Sequence, residues 1–254
     1  MALPILGLLL DLALVTVILL VAGVTAVWAL LKGMSSRGVV LVSALAAFAF
    51  LGAYFAVILP GFHEFFTEAL KAYEAVWTAQ TPSLLKSGAS QENIDLFKAF
   101  ALKYFLYAFP AWVAVGSLTA GLVSYYLASA LLRRVTARVQ RPMPFRLWVL
   151  PDVMVFGFIA GCFLKLFGPE NSAWDVVGDN LVVFFAVFYT LGGLSIVSFF
   201  LNKWGLTVFW RVVVYILMLQ LSLEVMVPVA SLGLMDLWFD FRKLRAAPAP
   251  GGKP

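Results

Sequence analysis

Apolar residues run along this chain in blocks about as long as a bilayer is thick, separated by short polar or glycine- and proline-containing connectors. A hydrocarbon core about 30 Å thick needs about 20 apolar residues in helical form, and six segments approach that length. The first is Leu12–Leu31, closed by Lys32, Gly33 and Arg37. The second covers 39–59 and stops at Pro60 and Gly61, and the third covers 104–132 with Pro110 inside it. The fourth, 153–167, is the shortest and carries Lys165 near its end. The fifth covers 181–201, and the sixth starts after Arg211 and runs to about Val227, where Pro228 should kink or end it. The pattern predicts an all-α, polytopic transmembrane helix bundle of about six spans. Residues 1–245 form a single integral membrane domain in this reading, and the Pro/Gly/Ala-rich tail 246–254 is expected to be disordered.

The segment 61–103 has a different rhythm. Phe62, Phe65, Phe66, Ala69, Leu70, Tyr73, Val76 and Trp77 recur every three or four residues, while His63, Glu64, Thr67, Glu68, Lys71 and Glu74 fill the opposite face. That spacing makes an amphipathic helix with an aromatic stripe, suited to lying on the bilayer or covering the bundle. Thr81, Pro82 and Ser83 are expected to end it, and Ser87 and Gly88 to begin a turn. Ser90 reads as an N-cap, with Glu92 and Asp95 near the positive end of a helix expected to continue unbroken into the third span.

Composition agrees with the pattern: 63% of residues are hydrophobic and 12% charged, and the mean hydropathy is +0.98. Soluble domains carry about 25% charged residues, so a water-facing surface cannot be assembled from this chain. The net charge of +5 is clustered, which in a membrane protein reports orientation rather than a nucleic-acid partner. The connector 133–148 holds Arg133, Arg134, Arg138, Arg141 and Arg146 and no acid, Lys32 and Arg37 mark a second connector, and Lys203 and Arg211 a third. With six spans from an outside start, all three fall on the cytoplasmic side. The connector 168–180, with Glu170, Asp175 and Asp179, and the segment 61–103 then lie outside. The same count puts Arg242, Lys243 and Arg245 outside, against the positive-inside rule. A re-entrant or extra short helix across 232–241 would remove the conflict.

Charged and amide side chains within apolar spans are costly and mark candidate sites. Gln220 and Glu224 share one face of the sixth span, Lys165 lies near the outer end of the fourth, and Asp11 at the outer end of the first. These four residues are expected to line a polar pocket opening outward, with Glu224 paired to Lys165. The competing reading has Lys165 snorkelling to the headgroups and Asp11 capping its helix. Gly157 and Gly161 form a GxxxG on the fourth span, and Gly116 with Ala120 and Ser117 with Gly121 repeat the small-residue spacing on the third. Internal packing is favoured over oligomerisation for both.

Cys162 and His63 are the single residues of their types, which excludes an intrachain disulfide and His- or Cys-rich metal sites. No cofactor or metal is expected. The chain contains no HExxH, GxSxG, Walker A or CxxC motif, and no enzymatic activity is expected. Asp236 and Asp240 share one face near the end of the chain, where ion pairs to Arg242 or Lys243 account for them.

Two stretches carry a resemblance. Gly233-Leu-Met-Asp236-Leu-Trp238-Phe-Asp240-Phe-Arg242-Lys-Leu resembles the closing signature of the YybS-like bacterial membrane proteins. Pro142-Met-Pro144-Phe-Arg146-Leu-Trp148-Val-Leu-Pro151 resembles their central cytoplasmic connector. The resemblance covers the chain from about Val39 onward, and it implies further hydrophobic sequence ahead of the first span seen here. That family has no settled activity and is distantly similar to the substrate-binding subunits of energy-coupling-factor transporters. Those bind a small solute near the outer face and depend on a separate ATPase module; their docking face uses small residues, for which Ala22 and Ala26 supply an AxxxA spacing. The resemblance implies a multi-pass protein of the bacterial cytoplasmic membrane that binds a small solute for a transporter. Its partners would be the lipid bilayer and a coupling ATPase or other membrane protein. The alternative is a non-transporting scaffold or assembly factor that recruits a protein through the arginine connector or the carboxy-terminal bases.

Overall fold

In a computed structural model of the chain, residues 2–58, 62–136, 139, 141–169, 172–220 and 222–244 are described. Of the side chains within those ranges, nothing is described for 2–11, 58, 62, 63, 65, 105, 106, 219, 220 and 222–224. Among the described residues every regular element is a helix: α1 (Ala2–Leu31), α2 (Ser36–Ile58), α3 (Phe62–Lys86), α4 (Gln91–Ala101), α5 (Phe109–Leu132), α6 (Met154–Phe167), α7 (Ala173–Lys203), α8 (Val208–Gln220) and α9 (Ser222–Phe239). Stretches of α1, α2, α5 and α7 are long and apolar enough to cross a membrane: Leu12–Leu31, Ser36–Val57, Phe109–Leu132 and Ala173–Lys203. The remaining apolar sequence lies in shorter helices, of which α6 has 14 residues and so spans about 21 Å at 1.5 Å per residue. The chain divides into two compact units, Met1–Pro142 and Met143–Pro254.

In the first unit α1, α2 and α5 pack against one another through small residues. Ala22, Ala26, Ala29, Val39, Ala47, Ala120 and Ala128 are buried at the contacts. A Cβ on Gly121 would meet the Val40 carbonyl oxygen at 2.7 Å, so α5 and α2 touch backbone to backbone. Close approach of this kind replaces the hydrophobic driving force that lipid cannot provide. Ala22 and Ala26 are fully buried in this core, so the AxxxA face is used internally and is not open for docking.

Three local expectations change. Helix α3 does not end at Thr81 to Ser83 but continues to Lys86 with Pro82 inside it. Pro82 and Thr78 are both exposed, so the carbonyl that loses its partner to the proline can be solvated. The stop comes instead at Gly88, where φ of +95° lets Ala89 N–H donate back to the Leu84 carbonyl at 3.1 Å. Ser90 caps α4 as expected, accepting from Asn93 N–H at 3.2 Å. The passage into α5 is not continuous: α4 gives way to a π-helical turn, Leu102–Tyr107, and α5 restarts after Ala108 with Pro110 in its first turn. Pro110 has no N–H to give to the preceding turn, and the Trp112 indole N–H donates to the Tyr104 carbonyl at 2.9 Å.

In the second unit α7 is the central element, packed by α6 on one side and by α9 on another. The GxxxG of α6 is consumed here: a Cβ on Gly161 would lie 2.9 Å from Leu181 Cβ, and one on Gly157 would clash with the Phe185 ring. Helices α7 and α9 cross at Gly192, Gly193 and Gly233, where a Cβ on Gly193 would fall 1.9 Å from the Val229 carbonyl oxygen. Beyond that crossing Asp236 and Arg242 reach Ser195, so α9 runs in the same direction as α7. The sixth span of the sequence reading is therefore two helices. Helix α8 is described to Gln220 and α9 from Ser222, and Pro228 sits exposed within α9 without ending it. Because α9 returns to the end of α7 that carries the connector, Arg242 and Lys243 lie at the same end as Arg146. The extra helix thus begins earlier than 232 and removes the conflict with the charge rule.

Candidate functional site

Two polar clusters lie on α7, one near each end. The first is set by the cap of the helix. Ser172 accepts from Asp175 N–H at 3.3 Å and starts α7, which puts Asp175 and Asp179 four residues apart on one face. Lys165, on the last turn of α6, comes to that face because Gly178 lets α6 approach: a Cβ there would lie 3.0 Å from Lys165 N and 3.1 Å from the Gly161 carbonyl. The Lys165 ammonium stands 2.6 Å from Asp175 Oδ1 and 3.2 Å from Asp179 Oδ1. The Asp175 and Asp179 side chains are 10% and 4% exposed and Lys165 30%. Desolvating such charges costs several kcal/mol per ion, which the short ammonium–carboxylate contacts offset.

The second cluster joins the two stretches that carry the sequence resemblance. After α9 the backbone enters the left-handed region at Asp240 (φ +41°) and Lys243 (φ +53°). Asp236 Oδ1 accepts from Phe241 N–H at 2.9 Å and Asp240 Oδ1 from Leu244 N–H at 3.0 Å. This tight turn folds Arg242 inward, leaving its side chain 2% exposed. One guanidinium nitrogen donates to Asp236 Oδ2 at 2.8 Å; the other donates to Ser195 Oγ at 2.7 Å and to the Arg146 carbonyl at 3.1 Å. Ser195 donates in turn to the Phe145 carbonyl at 2.8 Å, and the Arg146 guanidinium donates to Asn202 Oδ1 at 3.0 Å. The clasp ties the connector turn Phe145–Leu147, the carboxy-terminal part of α7 and the end of α9 into one network.

In the first unit, an open apolar groove of about 400 Å³ lies along α3 against the end of α4, lined by Ala69, Ala72, Tyr73, Val76, Trp77, Gln80 and Ala101. Tyr73 donates to the Lys98 carbonyl, and Lys98 Nζ bonds Glu74 Oε2. Burial raises the Tyr73 hydroxyl above its ordinary value, and the Glu74 hydrogen bond raises the Lys98 ammonium.

Of the four residues expected to line an outward pocket, only Lys165 has a described side chain, and its partners are Asp175 and Asp179. Those of Glu224, Gln220 and Asp11 lie outside the described residues. Asp175 and Asp179 were read as connector acids; the signal that places them on a helix is the Ser172 cap followed by i,i+4 spacing. Ser195 and Asn202 carried no sequence signal of their own. Arg133, Arg134 and Arg141 are exposed, Arg146 is half-buried, and Arg138 falls outside the described residues. Asp236 pairs with Arg242, as the spacing suggested, while Trp238 is 64% exposed.

No curated protein and no solved structure matches the chain. One family does, over residues 1–237, under the description "Predicted membrane protein (DUF2232)". Its span takes in both units and the α7–α9 crossing, and the chain belongs to that family.

Proposed function

We propose that the chain is a solute-binding subunit of a membrane transporter, of the YybS type, resident in the bacterial cytoplasmic membrane and without enzymatic activity of its own. The observation that carries this reading is the Lys165–Asp175–Asp179 cluster. Ionisable groups retained inside an apolar helix pair are rare and mark substrate or ion pathways, and this cluster sits at the α7 end remote from the Phe145–Leu147 turn. A distant likeness to the substrate-binding subunits of energy-coupling-factor transporters fits the same picture, with a separate ATPase module supplying the energy.

The test is a thermal-unfolding screen of the purified full chain against vitamins and metal ions. A solute held at a hundred times its dissociation constant adds about 2.7 kcal/mol, a rise of a few degrees in Tm. That rise should disappear in Asp179→Asn and in Lys165→Met. A rise that survives both substitutions refutes the cluster as the site, and a screen without a single hit removes the solute-binding reading.

A second reading rests on Arg133, Arg134 and Arg141, which are exposed and form no ion pair among the described residues. A scaffold would use such bases to recruit an acidic protein. Copurification of a protein that is lost on neutralising Arg133, Arg134 and Arg138 supports the scaffold over the transporter.

A further inference from the structure

We infer that the clasp end of the second unit is a binding surface for the headgroups of anionic phospholipids, beyond any solute handled at the other end of α7. The argument begins with distance. From Asp175 to Ser195 the helix rises about 30 Å at 1.5 Å per residue, which is the thickness of a hydrocarbon core. The residues between them are apolar apart from Asp179, Asn180 and two hydroxyls, Tyr189 and Thr190. The two clusters therefore mark the two edges of the hydrocarbon, and the clasp lies at headgroup depth. Its bases place it on the cytoplasmic side.

The fold gathers those bases from segments far apart in the chain. Arg242 is bonded to the Arg146 carbonyl, Arg146 to Asn202, and Lys203 and Lys243 are the exposed neighbours of Asn202 and Arg242. The acids on the clasp are engaged internally: Asp236 holds Arg242, and Asp240 caps Leu244 N–H. Among the described residues Asp152, in the turn before α6, is the remaining acid at this end. Lys203 and Lys243 are exposed and form no ion pair among the described residues, and the Lys203 ammonium stands 5.9 Å from the centre of the Phe200 ring. Trp204, next in the chain to Lys203, and Trp238, in the last turn of α9, are 70% and 64% exposed, and indoles prefer interfacial depth. A polar end built in this way attracts lipid phosphate of net negative charge over zwitterionic lipid.

The full chain, reconstituted in phosphatidylcholine vesicles, should select spin-labelled phosphatidylglycerol over spin-labelled phosphatidylcholine. Each base near an anionic membrane surface is worth about fivefold in association. Lys203→Gln with Lys243→Gln should therefore cut the selectivity about twenty-fivefold or abolish it, and high salt should do the same to the native chain. Lys86→Gln, on the exposed last turn of α3, should leave it intact. Unchanged selectivity in the double variant overturns the assignment. Displacement of the labelled lipid by dissolved inorganic phosphate also overturns it, since the site would then take a free anion. Both lysines are exposed, so the double variant folds; its thermal midpoint in phosphatidylcholine, equal to that of the native chain, checks this.

Discussion

The two units bury different things. Among the described residues, the buried polar groups of the first unit are serines: Ser43, Ser117, Ser124 and Ser129. Those of the second are Asp175, Asp179, Asp236 and Arg242, with Ser195 accepting from Arg242. A serine in an apolar helix can return its hydroxyl to the preceding turn, as Ser117 does to the Val113 carbonyl at 2.8 Å, and costs little. A carboxylate or guanidinium cannot, and persists only with a partner from another element. The first unit is thus a small-residue bundle held by close backbone approach, as at Gly121, with short hydroxyl side chains as its buried polar groups. The second depends on named partners, and function is sought there for that reason.

The sharpest break in the comparison comes from glycine. Gly193→Val sets a side chain where the Val229 carbonyl already lies 1.9 Å from the Cβ position, and backbone cannot yield as a side-chain tip does. Loss of the α7–α9 crossing should cost about 3 kcal/mol or more and remove the folded, monodisperse fraction in detergent. In the first unit Gly116→Ala meets nothing within 4 Å and should stabilise α5 by up to about 1 kcal/mol. Size-exclusion profiles and thermal midpoints of the two variants check this; a well-folded Gly193→Val would mean that the two helices do not touch.

A smaller effect separates the two kinds of polar burial. Asp236→Asn leaves the Arg242 guanidinium buried without its carboxylate, a loss of about 3–5 kcal/mol. Tyr125→Phe in the first unit removes a neutral hydrogen bond of 2.8 Å to Ser36, worth about 1 kcal/mol. Chemical denaturation of both should rank them in that order by a clear margin. Equal losses would say that the clasp is no more than packing.

Much of this was legible beforehand, for reasons of hydropathy. The long apolar helices, the aromatic stripe on α3 and the Ser90 cap follow from period and capping chemistry that act within a few residues. The Asp236–Arg242 pair was legible because both partners lie on one short stretch. What escaped the sequence depends on partners remote along the chain. Lys165 bonds acids ten and fourteen residues later, across the α6–α7 turn, a pairing the sequence pattern does not single out; the Glu224 side chain expected beside it lies outside the described residues. Ser195 is one serine among many in apolar helices, and only the returning turn after α9 gives it Arg242. Prolines misled in both directions: Pro82 and Pro228 lie on exposed faces and are tolerated, while Pro110 reshapes the turn before it into a π-helix.

The smallest predicted effect concerns the polar contacts of the first unit that do involve charge, those of the α3–α4 hairpin. Lys98 is held above its ordinary value by its hydrogen bond to Glu74, and Tyr73 is held above its own by burial. A group whose value is raised on folding contributes stability that is complete below its unfolded value and is lost as pH rises through the folded one. Both groups have unfolded values near 10, so the hairpin keeps these contacts at neutral pH and loses them only above about pH 10. Lys98 is half-buried beside an exposed Glu74 and their ion pair is solvent-screened, so the change should be local and slight. Trp77 packs between Tyr73 and Phe97 and reports it: its emission should shift in the alkaline limb, and Tyr73→Phe with Lys98→Gln should flatten that limb. The clasp of the second unit has neither lysine nor tyrosine among its bonded side chains. If the Trp77 limb stays unchanged in the double variant, the hairpin is not held by these contacts, and the first unit depends on small-residue packing throughout.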